Sequence, residues 1–391
     1  MKNEIKVLLT DTHWRTAYYV CKSLANKGIN VIGLKSVDSI YDKSRYYSKI
    51  ITVPSLETHL NEWLCKIERI ASNSKVLIPV SVNTINLVAK NRERLSKRLL
   101  VPCVHVKQIA MATDKLRTIQ FMQDIGVPVP VTFAPKSLQE AEEVIKKMSF
   151  PLVIKIREEV NISPIHRYGI AQNMDQAKNL YNKLSLLQPT PLIQEYVQGE
   201  GVGISMLCEK GKPIALFAHQ RLREQMINGG PSTFCKAISS QLLEKYAIKF
   251  AKASNWNGIA MLEFKYNYSS NKYYFMEINP RFWGSMELAI KCGVDFPYLF
   301  LQWIIGNVDN DTCIRRSNNN KLKYMSMDIR AFSDSIASLD RKRQLKLLIS
   351  YLSEYLDPTL RIGTIGKDLW VTLPELSSSV HEFFRMVKNV I

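Results

Sequence analysis

The chain lacks the signatures of several common enzyme classes. Its seven cysteines, Cys21, Cys65, Cys103, Cys208, Cys235, Cys292 and Cys313, never fall as Cys-x-x-Cys. Zinc-ribbon and dithiol redox spacings are therefore missing. The six histidines form no His-Glu-x-x-His pair, and no Gly-x-Ser-x-Gly elbow occurs, so zinc and serine hydrolase readings have no support. No Gly-x-Gly-x-x-Gly follows the first apolar run, and Gly363-Thr-Ile-Gly366-Lys367 has the wrong spacing for a Walker A loop. The most apolar later stretch, Phe296 to Ile305, is about half a membrane span. The apolar run near the N-terminus is too short for a signal peptide and reads as a strand. An odd number of scattered cysteines fits a reducing compartment. The expected location is the cytoplasm, with no membrane span.

Acid is also scarce. Asp plus Glu number 35 against 53 Lys plus Arg, a formal charge of +18 over 391 residues. Two readings stand: a solvated, lysine-rich surface, or an anionic substrate or surface as partner. The basic residues are spread out, with small clusters at Arg92–Arg98 and Arg341–Lys346, and no nucleic-acid module accompanies them. The length leaves room for two or three units, each with its own core.

The hydrophobic pattern alternates strand and helix at the start. Lys6 to Thr10 is a compact apolar run, and Trp14, Tyr18, Cys21 and Ala25 recur at helical spacing before Gly28. Asn30 to Leu34 and Val76 to Val80 supply further strands. Such alternation predicts a parallel α/β layer, with ligands beyond the strand C-termini at residues 11–15 and 81–84. Gly126, Pro128 and Pro130 break the chain after a helix. A smaller α/β unit follows, with an irregular loop at 157–169. Two antiparallel strands are expected over 202–219, a helix over 241–254, and two more strands over 257–267 and 272–279.

Chemistry concentrates in that last pair, Met261-Leu-Glu-Phe-Lys-Tyr266 and Tyr274-Phe-Met-Glu-Ile-Asn-Pro-Arg281. Each strand carries an acid, Glu263 and Glu277, and Asn279 follows Glu277 at strand period, on the same face. Three oxygen donors on one surface suit Mg²⁺ shared with substrate phosphates. Arg281 places a guanidinium where it can meet phosphoryl oxygens. The plain alternative is a hairpin with ordinary surface carboxylates, but both acids stand among apolar neighbours, where an unpaired carboxylate is costly. Lys155 ends an apolar strand and Lys115 starts a helix, either as phosphate anchors or as snorkelling surface lysines. His219-Gln-Arg221-Leu-Arg223 puts three cationic or potentially cationic side chains on one face by alternation, which suits an anion or a charged outer strand face.

Taken together these segments resemble the ATP-grasp superfamily, nearest in look to its carbamoyl-phosphate-synthase-like carboxylate–amine ligases. The resemblance is carried by Asp114-Lys115, Ile154-Lys155, Gln194-Glu-Tyr-Val197, Gly199-Glu-Gly-Val-Gly203, His219-Gln-Arg-Leu-Arg223, Gly229-Gly-Pro-Ser232, Leu262-Glu-Phe264 and Met276-Glu-Ile-Asn-Pro-Arg-Phe-Trp-Gly-Ser285, in order over about residues 5–305. It implies an α/β fold, α+β in the nucleotide-binding part. A pre-ATP-grasp parallel-sheet domain (1–112) would precede a small subdomain (113–198) and a large subdomain with the metal hairpin (199–306). Residues 307–391 would form a C-terminal extension. Lys115 and Lys155 would contact ATP phosphates. Gln194, Glu195, Tyr196 and Val197 would form the hinge against adenine, with Glu200 at the ribose. Glu263, Glu277 and Asn279 would hold Mg²⁺, with Mn²⁺ as a substitute, and Arg281 with Arg221 or Arg223 would steady the transferring phosphoryl group. The implied activity is ATP-dependent activation of a carboxylate as an acyl-phosphate and its transfer to an amine or other nucleophile. The alternatives are release of a phosphorylated or carbamoyl-phosphate product, or nucleotide binding without catalysis. The implied partners are small carboxylate and amine substrates, anionic ones fitting the charge, with no nucleic acid and with a homodimer compatible. Many relatives carry a glycine-rich lid after the second lysine; here the stretch from Arg157 to Tyr168 is glycine-free.

Overall fold

A computed structural model describes residues 5–71, 75–158, 167–226, 229–308 and 312–390. The first unit is built on four parallel strands, β1 (Lys6–Leu9), β2 (Asn30–Lys35), β3 (Lys49–Thr52) and β4 (Lys75–Ile78), in the order β3-β2-β1-β4. Val7, Leu8 and Leu9 are sealed from solvent because helices cover both faces, as a run of consecutive apolar residues demands. The helix Arg15–Asn26 buries Tyr18, Cys21 and Leu24 along one side and ends at Gly28, whose positive φ lets the chain turn back. At the C-terminal edge of this sheet, Asp11 accepts hydrogen bonds from the Ser81 amide (3.0 Å) and the Thr84 hydroxyl (3.0 Å). The loops after β1 and β4 are thereby tied together at the end where α/β sheets take ligands.

The second unit is a four-stranded antiparallel sheet, β5 (Thr132–Phe133), β6 (Leu152–Lys155), β7 (Tyr168–Ala171) and β8 (Leu192–Glu195), in the order β5-β8-β6-β7. Helices Leu138–Lys146 and Met174–Ser185 cover one face, and Ala141, Ile145, Ile154, Tyr181 and Ile193 close a small core of their own.

The largest sheet joins β9 (Glu200–Glu209), β10 (Lys212–Met226), β11 (Gly229–Ile238), β12 (Gly258–Asn267) and β13 (Lys272–Asn279) to three short strands, β14 (Ile314–Arg315), β15 (Lys321–Lys323) and β16 (Leu360–Ile362). Its order is β13-β12-β9-β10-β11-β15-β16, with β14 beside β10. Helix Gln241–Ser254 packs Leu243, Ala247 and Phe250 on one face, against Ile204, Met206 and Leu262. The other face packs Leu207, Phe217, Ile259 and Met261 against the first unit through Tyr18, Phe282, Trp283 and Phe300. These two layers hold the polar row described below from both sides.

The C-terminal region completes this sheet. β15 and β16 extend its edge, and helices Met325–Ile336, Arg341–Ser353 and Leu369–Val390 pack around Ile329, Phe332, Tyr351 and Met386. All seven cysteines are free. Among the described residues no helix is long and apolar enough to cross a membrane.

Candidate functional site

Strand register assembles the site. Across four neighbouring strands, His219 pairs with Gly203, Gly203 with Glu263, and Glu263 with Glu277. Directly opposed residues of antiparallel strands project to the same face, so these four stand in one row. Asn279 lies two residues on from Glu277, as its spacing requires. Its Nδ2 donates to Glu263 Oε1 at 2.9 Å, and its Oδ1 accepts from Arg281 Nη2 at 3.0 Å.

Four cations surround the two carboxylates. Arg221 Nη2 pairs with Glu263 Oε2, while its Nη1 donates to Glu224 Oε1 at 3.0 Å. Lys115 Nζ stands 3.6 Å from Glu277 Oε2. Lys155 Nζ donates to Gln194 Oε1 at 2.9 Å, and the Gln194 amide in turn donates to Thr132 Oγ1 at 2.7 Å. Lys115 and Lys155 are both withdrawn from bulk water.

The two carboxyls differ in their electrostatic setting. Burial pushes Glu263 up to about 7, with Glu277 and Glu224 adding repulsion against the pull of Arg221. Burial would raise Glu277 as well, but Lys115, Lys155, Arg221 and Arg281 outweigh it and hold that carboxyl below its ordinary value. His219 is driven the other way, down to about 3, by complete burial and by the Arg221 charge beside it. Its Nε2 lies 3.1 Å from Ser285 Oγ, and its ring fills the space above Gly203, where an added Cβ would come within 2.5 Å of Cε1.

The donor set fits a hard dication. Two carboxylates and an amide oxygen converge on one face, and protein cations already balance the carboxylate charge at that spot. Among the described residues no cluster of three or more His, Cys, Asp or Glu converges, so a metal here would rest on the two glutamates, Asn279 and oxygens it brings with it.

The remaining expected residues are divided. Glu195, Tyr196 and Val197 line a cavity of about 240 Å³ with Asn267, Ser269, Ser270 and Tyr274. Gln194 is buried and turned toward Lys155. Glu200 sits at the exposed start of β9, where its carboxylate accepts from Tyr268 Oη at 2.6 Å. Arg223 departs from the alternation that groups it with His219 and Arg221. Register shifts between Arg221, Arg223 and Glu224 mark a bulge in β10, and an inserted residue breaks the two-residue period. Arg223 instead reaches the C-terminal region, donating to Asp328 Oδ2 at 2.7 Å and Glu354 Oε1 at 2.9 Å. Residues 159–166, the middle of the loop in which the resemblance places an atypical lid, lie outside the described residues.

Two groups carry weight that the sequence reading did not assign. Glu224 comes to the Arg221 side because of the bulge. Asp114 caps the helix Lys115–Asp124 through the amides of Leu116 and Arg117 and forms a two-point ion pair with Arg157, at 2.8 and 2.6 Å. The N-cap residue before Lys115 was a readable signal; its partner Arg157, 43 residues on, was not.

Comparison with known proteins agrees with this geometry. A family model described as "ATP-grasp in the biosynthetic pathway with Ter operon" matches residues 188–327. Carbamoyl-phosphate synthase of Methanobrevibacter smithii is 24% identical over 218 residues, covering 53% of this chain and 57% of its own. The chain thus spans little over half the length of that relative. The N5-carboxyaminoimidazole synthetase of Staphylococcus aureus superposes with a TM-score of 0.64 at 14% identity, over 86% of both chains. The biotin carboxylase domain dimer of Hydrogenobacter thermophilus 2-oxoglutarate carboxylase, in complex with MgADP, ADP and bicarbonate, superposes with a TM-score of 0.62 at 19% identity, over 81% of this chain and 73% of that one. Residues 188–327 thus match an ATP-grasp family model, and the chain as a whole is similar in fold to a carboxyaminoimidazole synthetase and a biotin carboxylase.

Proposed function

We propose that the protein is an ATP- and Mg²⁺-dependent ligase that activates a carboxylate as an acyl-phosphate and joins it to an amine, releasing ADP and phosphate. The observation that carries this reading is the opposed pair Glu263 and Glu277 ringed by Lys115, Lys155, Arg221 and Arg281. Bound Mg²⁺ would spread the charge of a phosphoryl group in transfer. Glu263, Glu277 and Asn279 are the residues to hold it. The MgADP in the carboxylase neighbour accords with that assignment.

The protein's own side chains do the rest. Lys155, oriented by Gln194, and Lys115, fixed at a capped helix start, offer two ammonium groups to phosphate oxygens. The cavity beside Glu195, Tyr196 and Val197 offers backbone and ring surface to a base, at the end of β8. Arg281, held by Asn279 and the Phe282 carbonyl, presents its charge to the acyl-phosphate oxygens without having to reorganise. A carboxylate is a poor acyl donor because its oxygen leaves badly; phosphorylation turns that oxygen into a good leaving group, which the amine then displaces.

The test is ADP release across a panel of carboxylic acids and amines, for the wild type and Glu277→Ala. Acid- and amine-dependent ADP release that collapses in the variant supports the reading. AMP as the product, or unchanged turnover in Glu277→Ala, overturns it. The likeness to carbamoyl-phosphate synthase favours one second reading, release of the phosphorylated product itself. A stable acyl- or carbamoyl-phosphate found without amine consumption would select it.

A further inference from the structure

The C-terminal helices carry one apolar face too many. In helix Arg341–Ser353, Gln344, Leu348 and Tyr351 face the core. A second stripe, Leu345, Ile349 and Leu352, follows the spacing i, i+4, i+7 and is turned to solvent, with Ile349 61% exposed, and Leu356, in the 3-10 turn Glu354–Leu356 that follows the helix, is 84% exposed. Helix Leu369–Val390 repeats the pattern. Val371, Ser379 and Met386 pack inward, while Leu373, Val380 and Phe384 are exposed along another side, and Trp370 is 65% exposed beside them. Exposed large apolar residues in such numbers on a water-facing surface mark a surface meant to be covered.

The charges beside the first stripe say by what. Arg341 and Lys342 stand over its N-terminal end, and Lys346 along its solvent flank. The acids of this region are engaged elsewhere: Asp340 with Arg343 at 3.2 Å, Glu354 with Lys323 at 2.6 Å and Arg223 at 2.9 Å, and Asp357 with Lys321 at 2.6 Å. Among the described residues Arg341, Lys342 and Lys346 have no acidic partner within ion-pair distance. An apolar stripe flanked by unneutralised lysine and arginine is the pattern of a helix that lies in the plane of a bilayer surface. A second copy of this chain would bring a like-charged face against this one.

We propose that the C-terminal helices dock the protein on an anionic lipid surface, with Leu345, Ile349, Leu352 and Leu356 entering the headgroup boundary and Arg341, Lys342 and Lys346 meeting lipid phosphates. Burial of the stripe supplies non-specific attraction, and the basic residues supply preference for acidic lipid. The strands of this C-terminal region, β15 and β16, lie at the opposite edge of the large sheet from β12 and β13. The inference does not depend on the proposed ligase reaction.

The test is flotation of the full-length protein with vesicles of phosphatidylglycerol and phosphatidylcholine, and with vesicles of phosphatidylcholine alone. Binding is expected to the acidic vesicles, to weaken by at least about tenfold in high salt, and to fail on the neutral ones. The triple variant Leu345→Ser, Ile349→Ser, Leu352→Ser should lose at least about tenfold in partitioning. The pair Lys342→Glu, Lys346→Glu should do the same without touching the apolar stripe. Both variants alter exposed positions, and an unchanged melting temperature shows that they fold. Absence of binding to acidic vesicles, or equal binding by wild type and both variants, overturns the proposal. So does sedimentation of the wild type as a dimer that the triple variant dissociates, which assigns the face to a second copy.

Discussion

Glu263 and Glu277 face each other across adjacent antiparallel strands, yet one carboxyl is pushed up to about 7 and the other is held below its ordinary value. The difference lies in the neighbours. Glu277 collects Lys115 from the start of the helix Lys115–Asp124 and Lys155 from the end of β6, and Glu263 shares Arg221 with Glu224 in a more withdrawn position. Glu277 is therefore the firmly ionised member of the pair, and removing its charge should be the most damaging single change. Glu277→Gln keeps the shape and is expected to reduce ADP formation by roughly two to three orders of magnitude. Steady-state kinetics over a range of Mg²⁺ concentrations checks this, and the Mg²⁺ requirement should rise in the same variant.

Gln194 orients Lys155 and nothing in the cavity. Gln194→Leu removes the acceptor at 2.9 Å that orients the buried Lys155 ammonium. Nucleotide affinity should weaken by about tenfold, the equivalent of one buried charged hydrogen bond. Calorimetric titration with a non-hydrolysable ATP analogue reads the change. Titration of Glu195→Gln by the same method should show a smaller loss, because the Glu195 side chain is exposed.

Gly203 is needed for the space it leaves. A methyl group there would meet the His219 ring at 2.5 Å, so Gly203→Ala should cost about 1–3 kcal/mol in urea unfolding. Combining it with His219→Ala should recover part of that loss. A double-mutant cycle with no coupling between the two sites would contradict the assignment.

His219 also sets a pH dependence. It stays neutral in the folded chain down to about 3, against 6.5 for an ordinary histidine, because it is buried next to Arg221. Between those values the unfolded chain binds a proton that the folded chain refuses. Stability from this group is complete above about 6.5 and is lost as pH falls toward 3. His219→Gln should flatten the fall in unfolding free energy over that window, measured by urea melts at successive pH values.

Asp328 lies fully buried between two cations, 2.7 Å from Arg223 and 3.6 Å from Lys323, and the Arg223 guanidinium in turn lies over the rings of Tyr351 and Phe332. Asp328→Asn leaves more positive than negative charge in that pocket and should cost about 3–5 kcal/mol. Thermal unfolding measures it. Replacing Arg223 by Met in the same chain should relieve much of the cost, since the excess charge is then removed.

The clustering of the candidate site residues was legible where chemistry followed local period. Glu263, Glu277 and Asn279 fall on one face by counting in twos, and the apolar residues around them already argued that the carboxylates had partners. The same counting misplaces Arg223, because a bulge leaves no mark in composition and shifts the period by one residue. The link from Gln194 to Lys155 runs between strands 39 residues apart and needs the pairing of β6 with β8. The parallel sheet of the first unit was readable from its uninterrupted apolar runs. The contribution of β15 and β16 to the large sheet was not, since three-residue strands carry too little pattern to separate from loop.

The two-point pair between Asp114 and Arg157 has a mechanical consequence. One carboxylate caps the helix that begins with Lys115 and grips the arginine two residues beyond Lys155, and the Lys115 amide donates to the Arg157 carbonyl at 3.1 Å. The two ammonium groups are thus geared to a common pivot, although they come from segments 40 residues apart in the chain. Because that helix also packs Ile119 and Met122 on the large sheet, the pair ties Lys155 of the smaller sheet to Lys115 on the body that carries the carboxylate hairpin, and breaking it would let the two ammonium groups move apart.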